Sequence, residues 1–255
     1  MTGTTAIYPD LAGKAALVTG GTKGIGAATC RALTANGVRV AVNGRSQAGV
    51  EELVAELGDG AVGVPGDCTS PGDVEVMRKR VEAALGPVDL LAVFAGGFEA
   101  FTPVAAMELA EWRKVVEDNL TSTFITVREF LPGMIERRRG SVVTMASISA
   151  RFLDKPTQAA YAAAKAGVVV FTRHLALEVG QYGVRANCVA PGTTRSERIE
   201  RVMDEQAIER TAAMSPLGRL GTPDDTANAT IFLLSESASW LTGVTLDVAG
   251  GRVML

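Results

Sequence analysis

Two side chains in this sequence stand at a spacing that could move a proton. Tyr161 and Lys165 lie four residues apart in the run AAYAAAKAGVVVFTRHLALEVG, which is rich in helix formers and has apolar residues at helical intervals. On a helix the phenol and the ammonium project from one face, one turn apart. A free tyrosine titrates near pKa ~10, and a fixed neighbouring cation favours the phenolate. The pair could give a proton to a carbonyl oxygen during reduction, or take one from an alcohol during oxidation. The YxxxK spacing is common, so its meaning depends on what the chain sets beside it.

One such neighbour is the turn Thr19-Gly20-Gly21-Thr22-Lys23-Gly24-Ile25-Gly26, directly after the short apolar run Lys14–Thr19. Glycines at that place let the chain turn sharply and let its backbone approach a pyrophosphate at the N-terminus of the next helix. The spacing is not G-x-G-x-x-G; the position after the first strand is what gives it weight. At the end of the second apolar run, an acidic residue would hold an adenine-ribose hydroxyl and repel a 2′-phosphate. The chain has Asn43-Gly44-Arg45-Ser46 there, with Lys23 as a second cation in the glycine turn. Arginine binds phosphate in bidentate geometry, so NADP(H) is expected over NAD(H).

The elements that must position these groups alternate from end to end. Strands are expected over 14–19, 38–43, 61–65, 88–94, 141–145, 185–189 and 244–248. Helices are expected over 27–36, with Gly37 as its C-cap, then 47–57, 73–85, a long region 108–136, and the helix carrying Tyr161 and Lys165. That order predicts an α/β protein: a single-domain Rossmann fold over 1–255, with a doubly wound parallel sheet of about seven strands and helices on both faces. No linker, repeat or low-complexity segment divides it.

The chain has 255 residues, 47% apolar and 21% charged, enough for one large core. A net charge of −3 argues against a nucleic-acid partner. Cys30, Cys68 and Cys188 are far apart, and His174 is the sole histidine, so no metal site is expected. The thiols read as reduced and buried. The first residues have neither a basic start nor an apolar core, and no apolar run reaches the ~20 residues that span a bilayer. A cytoplasmic protein with no membrane partner is expected.

Taken together, these features resemble the short-chain dehydrogenase/reductase family over essentially the full length. TGGTKGIG is similar to its TGxxxGxG cofactor motif, and several other motifs follow in the family's order. Asn119 in DNLTSTF, Ser147 in GSVVTMAS, Tyr161 and Lys165 match the catalytic tetrad, with Ser149 a rival two residues beyond Ser147. Asp67 in GDCTS matches the acid that recognises the adenine amino group, and Pro191-Gly192 matches the turn beside the nicotinamide. VAGG resembles the family's closing DGG. The cofactor set that the resemblance implies is Gly20, Thr22, Lys23, Gly24, Ile25 and Gly26 after the first strand. Gly44, Arg45 and Ser46 follow the second, Asp67 and Cys68 the third, and Ala95 and Gly96 the fourth; Tyr161, Lys165, Pro191, Gly192 and Thr194 complete it. YAAAKAGVVVFTRHLALEVGQYGVRANCVAPG and PLGRLGTPDDTANATIFLLS are similar to the 3-oxoacyl-(acyl carrier protein) reductases and related ketoreductases.

The resemblance implies hydride transfer, with Tyr161 as proton donor, Lys165 lowering its pKa and holding the nicotinamide ribose, Ser147 bonding the carbonyl, and Asn119 anchoring a water that feeds protons towards Lys165. It implies a homotetramer built on the Tyr161 helix and the helix before Ser141, and a lid over about 193–215. Arg195, Arg198 and Arg201 in that lid could meet an anionic carrier, or pair with neighbouring glutamates. The loop between Ser147 and Tyr161, with Asp154 and Lys155, is expected to border the substrate mouth, and His174 to serve packing or subunit contact. One departure stands out: the family's NNAG is here Val93-Phe94-Ala95-Gly96, followed by an extra Gly97. Packing by Phe94 and a looser loop at Gly97 are expected. The substrate is expected to be a small-molecule ketone or acyl-carrier thioester, reduced with NADPH. An NAD(P)-dependent alcohol, sugar or steroid dehydrogenase, and a non-catalytic dinucleotide-binding protein, are the alternatives.

Overall fold

The structure, a computed structural model, describes residues 5–98, 100–153, 157–196, 199–200 and 203–254. Asp154, Lys155, Arg198 and Arg201 lie outside them. Seven strands, β1 (Ala15–Thr19), β2 (Arg39–Val42), β3 (Ala61–Gly63), β4 (Leu90–Val93), β5 (Gly140–Met145), β6 (Val184–Pro191) and β7 (Thr245–Val248), form one parallel sheet in the order β3-β2-β1-β4-β5-β6-β7. Helices α1 (Gly24–Ala35), α2 (Gln47–Leu57), α3 (Pro71–Leu85), α4 (Leu109–Val116), α5 (Ser122–Glu136), α6 (Ala159–Val179), α7 (Glu205–Ala213) and α8 (Pro223–Leu234) connect or cover them.

Alternation along each strand divides the apolar residues between two cores. Ala16 and Val18 of β1 and Val40 and Val42 of β2 face α1 and α8, meeting Leu33 and Ile231. Ala15, Leu17, Ala41 and Leu91 turn the other way, against Met77 and Val81 of α3 and Phe130 and Met134 of α5. With both faces covered, the strands are almost wholly apolar. The strand order reverses at β1, between β2 and β4, so the crevice for a ligand opens beyond the carboxyl ends of β1 and β4.

The doubly wound expectation therefore holds, and its boundaries shift in informative places. α1 begins at Gly24, inside the glycine turn, so the turn is itself the start of the helix. Gly37 follows the C-cap Asn36 with φ +71°, the left-handed conformation that ends a helix. The region 108–136 is not one helix: a wide π turn, Glu117–Thr121, separates α4 from α5. α8 has no counterpart in the expected elements. Its signal was a capping box, Thr222 with Asp225, followed by Pro223 in the first turn.

Candidate active site

Every motif residue expected at a strand's end does lie at the carboxyl edge of the sheet, where the loops after β1 to β6 converge. After β1, Gly20 takes φ +63°, and a Cβ on it would stand 3.0 Å from Phe94 O and Ala95 N. A Cβ on Gly26 would run into Gly20 O. The turn is thus closed against β4 on one side and against α1 on the other. Lys23, the N-cap residue of α1, offers no side-chain cap, whereas Ser46, Ser70, Asp204 and Thr222 cap α2, α3, α7 and α8. An uncapped helix N-terminus reached through glycine backbone suits a pyrophosphate. The residues present fit a dinucleotide.

After β2, the side chain of Asn43 turns inward: its Nδ2 donates to Val64 O (3.0 Å) and Gly66 O (3.2 Å). Gly44 is buried against Thr22, whose methyl would stand 2.6 Å from an added Cβ. Arg45 is exposed. Ser46 caps α2 by accepting from Gly49 N at 3.2 Å. Asp67 after β3 accepts the Thr69 amide (2.9 Å) and hydroxyl (2.8 Å). The Thr69 amide above all, with the charges of Arg45 and Lys114, holds its carboxyl below the usual range against the opposing pull of burial. Cys68 is buried, and its thiol donates to Asn43 Oδ1 at 3.2 Å, so it offers a ligand only its backbone. Burial pushes that thiol up to about 11.

At the end of β4 the departure from NNAG is filled by packing. Val93 sits in the sheet opposite Thr19 and Thr144, and Phe94 is buried in the core beneath α1. The amides of Phe94 and Ala95 both donate to Thr19 Oγ1, at 3.0 and 3.2 Å. Gly97 does not loosen the loop. Its amide donates to Asn119 Oδ1 at 2.8 Å and its carbonyl accepts from Asn119 Nδ2 at 2.7 Å. Asn119 also donates to Val115 O at 2.9 Å, so both its amide hydrogens are engaged. The residue occupies the π turn, a distortion that re-aims a side chain out of helical phase.

α6 reaches this turn closely because Gly167 faces Leu120: a Cβ there would stand 2.8 Å from Leu120 Cδ2. Lys165, one half turn earlier, is buried. Its Nζ donates to Met145 O at 2.9 Å and lies 5.7 Å from the centroid of the Tyr161 ring. Burial lowers its pKa from the ordinary 10.5 to about 8, with the Cys188 thiol pulling the other way. Ser147, two residues past Met145, accepts from Ser149 N at 3.2 Å and donates to Ser149 Oγ at 3.3 Å. The Phe98 ring meets Tyr161, with centroids 4.7 Å apart and planes at 49°.

At the end of β6, Pro191 pairs in register with Val248, Gly192 N donates to Val248 O at 3.0 Å, and Thr194 Oγ1 donates to Gly192 O at 3.2 Å. Arg195 pairs with Glu200 at 2.8 Å, the neighbouring-glutamate alternative. His174 is on the exposed side of α6, 3.8 Å from Glu178. All three cysteines are free and buried. Among the described residues no group of His, Cys, Asp or Glu could hold a metal, and no helix is long and apolar enough to cross a membrane. Sequence reasoning missed Thr19 Oγ1, the Met145 carbonyl and Phe98. The first stood inside the quoted TGG motif, the second is backbone and has no residue-type signal, and the third is an aromatic directly after two glycines.

A family model described as enoyl-(acyl carrier protein) reductase matches residues 20–252. A 3-oxoacyl-(acyl carrier protein) reductase of Vibrio cholerae is 38% identical over 246 residues, 96% of this chain and 100% of that protein. A protein of Xanthobacter autotrophicus named inactive 2-(S)-hydroxypropyl-CoM dehydrogenase 2 is 39% identical over 230 residues, 88% of this chain and 99% of its own. The crystal structure of a 3-oxoacyl-(acyl carrier protein) reductase from Brucella melitensis is similar at a TM-score of 0.92 and 30% identity, covering 100% of this chain and 98% of that one.

Proposed function

This chain belongs to the short-chain dehydrogenase/reductase family, and from that premise we propose that it is an NADPH-dependent reductase converting a ketone into a secondary alcohol. The observation that carries the reading is the buried Lys165 ammonium, held by Met145 O beneath the Tyr161 ring. A cation kept there at the cost of burial has a use only if charge develops beside it.

NADPH, when bound, supplies the hydride. The chain supplies the cradle, the orientation and the proton. The glycine turn and the uncapped start of α1 would hold the pyrophosphate, and Asp67 the adenine. Tyr161 gives its phenolic proton to the substrate oxygen. Lys165, charged below about pH 8, stabilises the phenolate left behind and would hold the nicotinamide ribose hydroxyls. Ser147 turns its hydroxyl from Ser149 to the substrate oxygen and fixes it for attack. Asn119 fixes the loop after β4, and its remaining acceptor capacity would meet a water that carries protons towards Lys165.

The preference for NADPH is supported by the exposed Arg45 and by the absence of a carboxylate in Asn43-Gly44-Arg45-Ser46. Arg45 also stands near enough to Asp67 for its charge to be felt there. The substrate class is a small carbonyl compound or an acyl-carrier thioester, the latter in keeping with the name of the Vibrio relative. The described residues of 193–215, α7 among them, would form its lid. Exposed Phe124 on α5 and Val170 and Leu177 on α6 support assembly into a homotetramer through these helices. Three reduced, buried thiols support a cytoplasmic setting.

The deciding experiment replaces Tyr161 with Phe. NADPH oxidation across a panel of ketones should drop at least a hundredfold, while NADPH binding, read by its fluorescence, stays within about twofold. Retained turnover would sink the scheme.

A further inference from the structure

Two of the turns at the carboxyl edge of the sheet are tied to the same short strand, β7. The first carries Ser147, which stands at the start of a 3-10 turn, Ile148–Ala150, as its N-cap residue and accepts from Ser149 N at 3.2 Å. Arg151 closes the same turn as its C-cap residue, its amide donating to Ile148 O at 2.9 Å. The Arg151 guanidinium then leaves for β7. Its Nη1 donates to Thr245 O at 3.1 Å, and its Nη2 lies 3.6 Å from Asp247 Oδ2.

β7 is an edge strand, with β6 as its one neighbour in the sheet. The carbonyls of Val244 and Val248 go to β6, accepting from Cys188 N at 2.8 Å and Gly192 N at 3.0 Å. Alternation along the strand turns Thr245 O away from that ladder, and Arg151 takes it up. The pair with Asp247 is shielded, with 17% of the Arg151 side chain and 16% of the Asp247 side chain exposed, unlike the solvated pairs that contribute little. Asp247 Oδ1 is buried with no hydrogen-bond partner among the described residues. Burial pushes this carboxyl up, and the Arg151 charge pulls it back down.

The second turn is Pro191-Gly192. Val248, directly after Asp247, pairs in register with Pro191 and accepts from Gly192 N, and a Cβ on Gly192 would stand 3.2 Å from Ala249 Cα. Adjacent residues of one strand thus hold the turn that bears Ser147 and the turn that bears Gly192.

We propose that Arg151 is a positioning residue: anchored on Thr245 O and Asp247, it fixes the Ser147 turn relative to the Pro191-Gly192 turn through β7. The proposal rests on the reductase reading above and deepens it, since Ser147 would hold the carbonyl and Pro191-Gly192 would border the nicotinamide.

Arg151→Met removes both contacts and leaves the Asp247 carboxylate buried without its cation, so its Tm should fall. Arg151→Met with Asp247→Asn removes that charge as well and should recover most of the Tm. With the ketone that the wild-type chain reduces fastest, both variants should lose at least tenfold in kcat. KM and the NADPH dissociation constant should stay within about twofold. The primary isotope effect on kcat, read with NADPH deuterated at the transferred hydrogen, should rise as hydride transfer becomes limiting. Arg151→Lys, which keeps the charge and one donor, should fall between. A kcat that recovers together with Tm in the double variant, or a loss shared by KM and NADPH binding, overturns the proposal. Amide hydrogen exchange reads the same anchor without turnover. In the double variant, Phe152 N, bonded to Ile148 O, and Gly192 N should both exchange at least tenfold faster than in the wild type. Faster exchange at both, in a chain whose wild type reduces no ketone, upholds Arg151 as the tie between the turns and removes the reductase reading. Unchanged exchange at either amide overturns the proposal whatever the turnover.

Discussion

Asn119 and Gly97 exchange two hydrogen bonds, amide to side-chain oxygen at 2.8 Å and side-chain nitrogen to carbonyl at 2.7 Å, so a π turn in one element fixes a glycine loop in another. Gly96 is part of the same joint. It takes φ +137°, and a Cβ on it would stand 2.5 Å from Asn119 Oδ1. Gly96→Ala must therefore both strain the backbone and displace Asn119. We expect its NADPH affinity to fall at least tenfold in a fluorescence titration, with a smaller loss of thermal stability. Asn119→Ala strips partners from three backbone groups and should cost about 1–3 kcal/mol in denaturant unfolding.

Thr19 Oγ1 accepts from both the Phe94 and Ala95 amides where β4 leaves the sheet. Thr19→Val keeps the volume and leaves both amides without it. A loss of about 2 kcal/mol is expected, read as a fall of roughly 5 °C in Tm for a chain of this size. Thr19→Ser, which keeps the hydroxyl, should recover most of it. An unchanged Tm for the valine variant would show that β4 is held by packing of Val93 and Phe94 alone.

The sheet was legible because parallel strands buried on both faces write apolar runs, and because glycine turns punctuate them. The proposed catalytic positions rest on the order of motifs, since the pairing of Tyr161 with Lys165 is common in any helix. What stayed hidden was what spacing does not encode. Glu117–Thr121 has no Gly or Pro to mark a break, and its widening goes with tertiary contacts: Asn119 reaching Gly97, and α6 pressing on Leu120 through Gly167. Gly97 read as slack because glycine is permissive, yet its partner lies 22 residues away. Cys68 followed Asp67 in the motif, while the turn after β3 sends its thiol inward to Asn43. α8, by contrast, is announced locally by the Thr222–Asp225 capping box and Pro223.

Arg45 is exposed, and Asp67, proposed to meet the adenine, already feels its charge. Arg45→Asp should repel a 2′-phosphate and leave a ribose hydroxyl free to bond. The ratio of kcat/KM for NADPH over NADH is expected to fall at least tenfold, mainly through KM for NADPH, and to fall less at high salt because the pair is solvent-screened. A ratio unmoved by the substitution would mean that the phosphate, where recognised, is held by Lys23.

Lys165 sets stability and activity against each other across one pH window. Its pKa is lowered from 10.5 to about 8, chiefly by burial. Between those values the unfolded chain binds more protons than the folded one, so this residue's contribution to stability rises with pH from about 8 towards 10.5. Below about pH 8 the buried ammonium costs on the order of 3 kcal/mol, from a 2.5-unit difference at 1.36 kcal/mol each. Lys165→Met should accordingly raise thermal stability at pH 7 by about 1–3 kcal/mol, the lost bond to Met145 O offsetting part of the gain. That advantage should shrink as melts are repeated towards pH 10. Ketone reduction must run the other way, because the phenolate left on Tyr161 needs the cation. Wild-type kcat/KM should fall as pH rises through about 8, and Lys165→Met should lose two or more orders of magnitude in turnover, roughly the scale of a positioned acid. A stability gap that ignores pH would remove the buried ammonium from this account, and with it the reason for the activity limb.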